Sequence, residues 1–199
     1  MNIILSLDIS SVSTGYAVHH DDQLIAHGVI KKKPKQHGEK LLLLETEINR
    51  LVEQYKPNIF SFEDIWKGPS IKTYKILALY HGIAYKASFM HFKKDPIVLM
   101  PSQLRHTLVD GVGLELTGKK EQDKRAVFDF MKARHNLTDF VFEKHNDITD
   151  AIAVGLATQI LLKEHDNSIE AVIKFTKTKK KPKKKKTVQT PKKKKGKSK

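Results

Sequence analysis

Apolar runs of strand length open the chain and recur between longer amphipathic segments. The first three runs follow one another closely and predict consecutive strands, with Asp21-Asp22 as a hairpin connection. Two later runs of similar length are each preceded by a segment long enough for a helix. The five predicted strands cover residues 2–9, 16–20, 24–30, 59–65 and 97–100.

Helical spacing of apolar residues marks the segments around the later strands. The predicted helices cover 39–55, 70–92, a segment opening at Pro101-Ser102, 121–134, and 148–165 with Asn146 or Asp147 as its cap. Consecutive strands give antiparallel neighbours, whereas strands separated by helices need crossover connections. We therefore expect an α/β fold, with a mixed five-stranded sheet flanked by helices.

The charge of the chain is concentrated at its C-terminal end. The 199 residues include 37 Lys+Arg and 22 Asp+Glu, a formal net charge of +15. Fifteen of the lysines lie between Lys174 and Lys199, where there is no acidic residue, so the rest of the chain is balanced. A segment of this composition cannot form a core. We expect one folded domain over residues 1–168 and a disordered lysine-rich tail over 169–199.

The tail indicates a polyanionic partner. Lysine clusters neutralise phosphates with an affinity that does not depend on sequence and falls with salt. We favour a nucleic-acid arm over a tail that only adds solubility; a nuclear-import signal is a third interpretation if the host has a nucleus.

Several classes of protein are excluded by composition. The absence of cysteine rules out disulfides, thiol catalysis and thiolate zinc sites, and the ten histidines form no convincing zinc constellation. No apolar run approaches the ~20 residues of a membrane span, and the N-terminus lacks the features of a secretory signal. We expect an intracellular protein that does not bind a membrane or a small-molecule cofactor. Its expected location is the cytoplasm or nucleoid of a bacterium or of an infected host cell, or the nucleus if the host is eukaryotic.

Four acidic residues have unusual positions. Asp8 ends the first predicted strand, and Glu63 lies within the apolar fourth strand; Asp147 and Asp150 share one face of the first turn of the last helix. A buried unpaired carboxylate is strongly disfavoured, and these strands contain no basic residue. A shared Mg²⁺ or Mn²⁺ would satisfy the acids, and two such ions ~4 Å apart promote phosphoryl displacement.

Each acid also has a simpler explanation. Asp147 and Asp150 could only stabilise a helix N-terminus, and Glu63 could lie at a solvated edge. For one acid alone this is at least as good an interpretation, but for all four together the metal site is favoured.

The ordered set of motifs resembles the RuvC family of Holliday-junction resolvases, within the RNase H-like nuclease superfamily, with the compact phage-encoded branch most similar. The resemblance covers most of residues 1–165, although Ile9-Ser10-Ser11 replaces the glycine-containing turn common after the first acid. It is carried by LSLDISSVSTGYAV, FEDIW, PSQLRHTLVDGVG, TGKKEQDKRAV and HNDITDAIAVGLA.

The resemblance implies a site with two Mg²⁺ ions, for which Mn²⁺ substitutes. Asp8 is expected to bridge both ions, Glu63 to hold one, and Asp147 with Asp150 the other. Lys124 occupies the position of the family's lysine and is expected to stabilise developing charge. His145 adjoins the last acids and could assist, although a polar residue of a loop is the better interpretation.

Further residues are expected to contact DNA. The resemblance makes Trp66 an aromatic wedge that stacks on a base, although a core or dimer-interface tryptophan is an equal alternative. The basic residues expected to meet phosphates are Lys67, Lys72, Lys75, Arg105, Lys119, Lys120 and Lys124.

Together these observations predict a metal-dependent, structure-selective endonuclease that resolves four-way DNA junctions as a homodimer. Paired symmetric nicks would leave 5′-phosphate and 3′-hydroxyl ends, as the resemblance implies. The alternatives are an RNase H-like nuclease for other branched or RNA-containing substrates, and a non-catalytic DNA-binding protein. An actin-like ATPase is disfavoured, because that fold needs a second domain and a second phosphate loop that the sequence lacks.

Overall fold

The computed structural model describes residues 1–65 and 70–178, which form five strands and six helices. In chain order these are β1 (Ile3–Ile9), β2 (Ser13–His20), β3 (Gln23–Lys31), α1 (His37–Tyr55), β4 (Ile59–Glu63), α2 (Ile71–Phe92), β5 (Ile97–Leu99), α3 (Pro101–Val112), α4 (Lys120–Arg134), α5 (Phe142–Glu164) and α6 (Ile169–Lys177).

The strands form one mixed sheet in the order β3-β2-β1-β4-β5. Neighbouring strands are antiparallel from β3 to β1 and parallel from β1 to β5. This arrangement confirms the predicted α/β class, since the hairpins and helical crossovers lie where the sequence pattern put them. No helix in the described part of the chain is long and apolar enough to cross a bilayer.

Each face of the sheet has its own apolar core. Leu5 and Leu7 of β1 pack in the core that also contains residues of α1 and α2. Ile4 faces the other way, into the core built with α3, α4, α5 and α6. Because side chains alternate along a strand, Ser6 and Asp8 also face α5, and the hydroxyl of Ser6 donates to the carbonyl oxygen of Ala151 at 2.8 Å.

The last helix of the predicted domain begins earlier than expected. α5 starts at Phe142, and neither Asn146 nor Asp147 caps it. The additional turn is stabilised by packing, because the Phe142 ring lies 5.3 Å from that of Phe128, in T-shaped geometry. Asp147 therefore lies in the second turn of α5 and Asp150 in the third. The prediction of both in a first turn is wrong, and they cannot serve only to stabilise a helix N-terminus.

Part of the predicted tail is also ordered. Residues 169–177, expected to be disordered, form α6, whose N-cap Ser168 accepts a hydrogen bond from the Ala171 amide at 3.2 Å. Val172 is fully buried against the core on the α5 side of the sheet. Ile169, Ile173 and Phe175 of α6 pack against the same core. The lysines that follow the helix in the sequence led to the wrong boundary for the tail. The remaining predicted tail, 179–199, lies outside the described residues.

Candidate active site

Asp8 and Glu63 are neighbours at the carboxyl ends of two parallel strands. The register pairs Leu7 of β1 with Phe62 of β4, so the residues that follow are also adjacent. Leu7 and Phe62 are buried on the α1–α2 side. Asp8 and Glu63, one position on, therefore project from the opposite face, toward α5.

α5 crosses this face and carries the other two acids. Asp147 and Asp150 are three residues apart, so they lie on one side of the helix. Asp147 accepts a hydrogen bond from the hydroxyl of Ser13, at the start of β2. The sheet and α5 thus bring together all four acids that the sequence singled out.

The four carboxylates lie close enough for burial and mutual repulsion to raise the pKa values of three of them. Burial raises the pKa of Asp8, and the charges of Asp150 and Asp147 raise it further. Burial and the charge of Asp8 raise the pKa of Glu63 to about 7. Burial, followed by the charge of Glu63, also raises the pKa of Asp150. Among residues 1–65 and 70–178, no basic side chain forms an ion pair with any of the four acids.

Two basic residues approach the acids without pairing with them. A cavity of about 90 Å³ has Glu63, Asp150, Arg105 and Lys124 in its lining. The positive charge of Lys124 lowers the pKa values of Asp8, Glu63 and Asp150, opposing the effect of burial. The cavity therefore offers both carboxylate oxygens and cationic groups to a ligand.

The loop before α4 is ordered by a carboxylate that the sequence did not single out. Asp123 is buried and accepts hydrogen bonds from the amides of Thr117 and Gly118, at 2.7 and 3.1 Å. These bonds fix the segment that leads into Lys119 and Lys120, both exposed at the start of α4. By ordering this loop, Asp123 helps to position Lys119 and Lys120 relative to Lys124.

The donor set has the chemistry of a site for hard divalent cations, because it consists of carboxylate oxygens. Repulsion among partly buried acids leaves them in need of positive charge. In the described part of the chain, no group of three His, Asp or Glu side chains has the spacing of a preformed metal site. The fit to a cation therefore rests on donor type and charge.

A lysine that sequence reasoning missed lies close enough to the acids for their charges to act on it. Lys32 follows β3, and only 3% of its surface is exposed. Burial lowers the pKa of Lys32 to about 8, while the carboxylate of Asp8 opposes that shift. Within the KKKPK segment nothing distinguishes Lys32 from its exposed neighbours, so no sequence signal could have identified it.

The other predicted residues have different surroundings. Lys72 and Lys75 are exposed on the first turns of α2, and Arg105 is exposed on α3. His145 lies in the first turns of α5, where Nδ1 accepts from the Val141 amide at 2.9 Å and the ring stacks on Phe140. His145 is thus engaged in holding the start of α5. The predictions for Trp66 and Lys67 fall outside the described residues.

A family model and curated relatives of this chain indicate the same protein family. Residues 4–158 match the family described as crossover junction endodeoxyribonuclease RuvC. The protein of that name from Baumannia cicadellinicola is 24% identical over 175 residues, covering 86% of this chain and 94% of its own.

Solved structures share the fold. Thermus thermophilus RuvC in complex with a Holliday junction substrate superposes with a TM-score of 0.64 at 14% identity, covering 84% of this chain and 98% of its own. Fowlpox virus resolvase, in complex with Holliday junction DNA, gives 0.51 at 20% identity, covering 80% and 98%. With most of the chain matched by the family, and the acids on β1, β4 and α5, the chain belongs to the RuvC family of crossover junction endodeoxyribonucleases.

Proposed function

We propose that this protein is a Mg²⁺-dependent endonuclease that resolves four-way DNA junctions by paired nicks, acting as a homodimer. Family membership supports the junction-resolving activity. The observation that carries the catalytic part is the convergence of four carboxylates that have no ion-pair partner among the described residues, 1–65 and 70–178. Arg105 and Lys124 lie next to them. Such a site attracts cations and a phosphodiester together, which a purely DNA-binding protein would not need.

Asp8, Glu63, Asp147 and Asp150 are the proposed ligands of two Mg²⁺ ions, with Mn²⁺ as a substitute. When bound, the ions would activate water and neutralise charge on the scissile phosphate, leaving 5′-phosphate and 3′-hydroxyl ends. The protein's part is to hold four carboxylates on three rigid elements. Fixed ligands keep the reacting groups aligned, because they need little reorganisation during the reaction.

Lys124 is proposed to stabilise the negative charge that develops on the phosphate. It shares a cavity with Glu63 and Asp150, and its charge already acts on the acids. Arg105, from the same cavity, is proposed to hold a neighbouring phosphate, since guanidinium groups bind such oxygens in a forked geometry. Lys119 and Lys120 would extend this contact along the DNA backbone.

Contacts farther from the cut are proposed for the region around the start of α2. Lys72 and Lys75 are exposed there and free to approach phosphates. Trp66 and Lys67 precede this helix in sequence, and we retain the proposal that Trp66 stacks on an unpaired base at the branch point. Such a contact would favour junctions over duplex, because only branched DNA offers unstacked bases.

An exposed apolar face on α2 supports the homodimer. Six of its large apolar side chains are exposed, although the helix also contributes to the core: Ile71, Tyr74, Leu79, Tyr85, Phe89 and Met90. Near the middle, a Cβ added at Gly82 would meet no atom within 4 Å. A two-fold partner could cover this face with its own α2, and two active sites would then nick symmetry-related strands.

A branched-DNA substrate also suggests the place of action. We propose that the protein works where DNA is recombined or replicated, in the cytoplasm or nucleoid of a bacterium or in an infected host cell, or in a nucleus if that host is eukaryotic.

The experiment is cleavage of a synthetic four-way junction and of a linear duplex of matched sequence, with Mg²⁺ or with EDTA. We expect symmetric nicks in the junction alone, only with Mg²⁺. Asp8→Asn should bind the junction but not cut it. Equal binding of both DNAs with no cleavage would instead support a non-catalytic DNA-binding protein. Preferential cutting of flaps or of RNA–DNA hybrids would support the other nuclease class.

A further inference from the structure

We propose that Lys32 is a positioning residue, which locks the turn between β1 and β2 so that Ser13 holds Asp147 in its ligand orientation. This inference rests on the proposed function, because it concerns a ligand of the proposed metal site. It adds a residue that lies outside the four acids and outside the cavity.

The ammonium group of Lys32 donates three hydrogen bonds, although it has no carboxylate partner within the described residues. It donates to the carbonyl oxygens of Ser10 at 2.6 Å and Ser13 at 3.1 Å, and to the hydroxyl of Thr14. It also lies 4.9 Å from the centre of the Tyr80 ring. Burying a lysine whose hydrogen-bond partners are all neutral lowers the stability of the folded protein. We therefore expect this lysine to have a functional role.

All three acceptors belong to one short segment. The same turn is closed by its own hydrogen bonds, since the Ser10 amide donates to the Ser13 carbonyl oxygen at 3.0 Å and the Ser10 hydroxyl donates to it at 2.7 Å. The Lys32 amide donates to the carbonyl oxygen of Val12 at 2.9 Å. Backbone and side chain of one residue thus fasten the turn from the end of β3.

The turn transmits this constraint to the acids. Ser13 begins β2, and its hydroxyl donates to Asp147 on α5. Since a hydroxyl that donates to a carboxylate fixes which oxygens remain free, Ser13 selects the orientation in which Asp147 meets a cation. The positive charge of Lys32 also attracts the carboxylates of Asp8 and Asp147, whose charges oppose the lowering of the Lys32 pKa by burial.

The exposed lysines on either side of Lys32 provide matched controls. Lys31 and Lys33 have the same side chain and lie on the surface, so a change of charge alone can be separated from the loss of the buried contacts. Groups that support a metal ligand typically change metal affinity by about 10–100-fold when removed, which gives the size of effect to look for.

The test is calorimetric titration of the full-length protein with Mn²⁺ in the absence of DNA. We expect Lys32→Met and Ser13→Ala each to weaken Mn²⁺ binding about tenfold or more, whereas Lys33→Met and Ser13→Thr bind as the wild type does. The double variant should bind no more weakly than the weaker single variant, because both substitutions break one chain of contacts.

Asp147→Asn, titrated alongside, separates the two proposals. If it loses affinity while Lys32→Met and Ser13→Ala keep wild-type affinity, the positioning role is wrong and the metal site stands. If Asp147→Asn itself binds Mn²⁺ normally, the ligand assignment is wrong and this inference falls with it. Should Lys32→Met fail to fold, Thr14→Val replaces it, because it removes one acceptor of the Lys32 ammonium group. Unchanged Mn²⁺ affinity in Thr14→Val would then contradict the role of Lys32, whereas Ser13→Ala tests the contact with Asp147.

Discussion

Gly15 and Asp147 are in such close contact that any side chain at position 15 would collide with the backbone carbonyl of Asp147. Gly15 is paired with Asp8 across β2 and β1. The missing Cβ therefore lets the backbone of α5 approach the sheet beside the first acid. The distance between the acids of the sheet and those of α5 depends on this glycine.

Gly15→Ala should therefore separate the two halves of the site. We expect cleavage to fall about 100-fold, since displacements near 1 Å have effects of that order, and stability to fall by about 1–3 kcal/mol from overpacking. Junction cleavage and urea unfolding measure the two effects. Gly38→Ala is the matched control, because an added Cβ there meets no atom within 4 Å. Equal activity of the two variants would contradict this role for Gly15.

The acids should also make the metal-free protein sensitive to pH. The pKa of Glu63 is raised from 4.5 to about 7, so the folded state binds its proton more tightly than the unfolded state does. The stability associated with Glu63 is therefore present below pH 4.5 and is lost as pH rises through about 7. Glu63→Gln removes this loss, and we expect it to stabilise the metal-free protein at pH 8 by about 1–3 kcal/mol.

The measurement is the difference in Tm between Glu63→Gln and wild type in EDTA, from pH 6.5 to 8. Below this range, buried and half-buried histidines contribute an opposite slope, because burial lowers their pKa values. They are His19 and His81, which are buried, and His27 and His135, which are half-buried. The Tm difference should grow with pH, and Mg²⁺ should raise the Tm of the wild type more than that of the variant. A difference that is constant with pH would show that Glu63 is not held in a repulsive environment.

The lysine-rich segment should supply affinity and not the choice of cut. Truncation after Thr178 removes 13 lysines and retains α6, so folding should be unchanged. We expect weaker junction binding and a shallower dependence of log affinity on log salt, because each neutralised phosphate contributes about 0.9 to that slope. Fluorescence anisotropy at several salt concentrations measures the slope, and sequencing gels give the cut sites.

Truncation after Ser168 is the matched comparison, since it also removes Val172 from the core. That variant should lose stability as well as affinity. If truncation after Thr178 changed the cut sites, residues 179–199 would take part in recognising the junction.

The sequence predicted the sheet and the acids because both follow from local rules. Apolar runs of strand length identified β1 and β4, and the metal site is favoured because four acids have unusual positions together, although each acid alone has a simpler explanation. Local rules did not locate the start of α5, which is stabilised by contact between Phe142 and Phe128. They also misjudged α6, whose one fully buried apolar residue, Val172, lies close to a run of lysines.

The supporting residues could not have been found at all from the sequence. Lys32 differs from Lys31 and Lys33 only in tertiary burial. Ser13 becomes informative only when α5 brings Asp147 against it. Ser13 depends on how α5, more than 100 residues away, packs on the sheet. Lys32 depends on its contacts with the turn between β1 and β2 and with Tyr80 of α2. No pattern within one segment encodes such contacts.

The exposed face of α2 should be the dimer interface, and Phe89 tests this without disturbing the core. Phe89 is 58% exposed, so Phe89→Glu should fold normally. In a two-fold interface through α2 it would place two carboxylates in an apolar contact, which is strongly unfavourable. We expect a monomer by analytical ultracentrifugation, and single nicks in place of paired ones. Leu42→Glu is the matched control, because Leu42 is similarly exposed, at 65%, but lies on α1. A dimer that survives Phe89→Glu but is lost in Leu42→Glu would move the interface to α1.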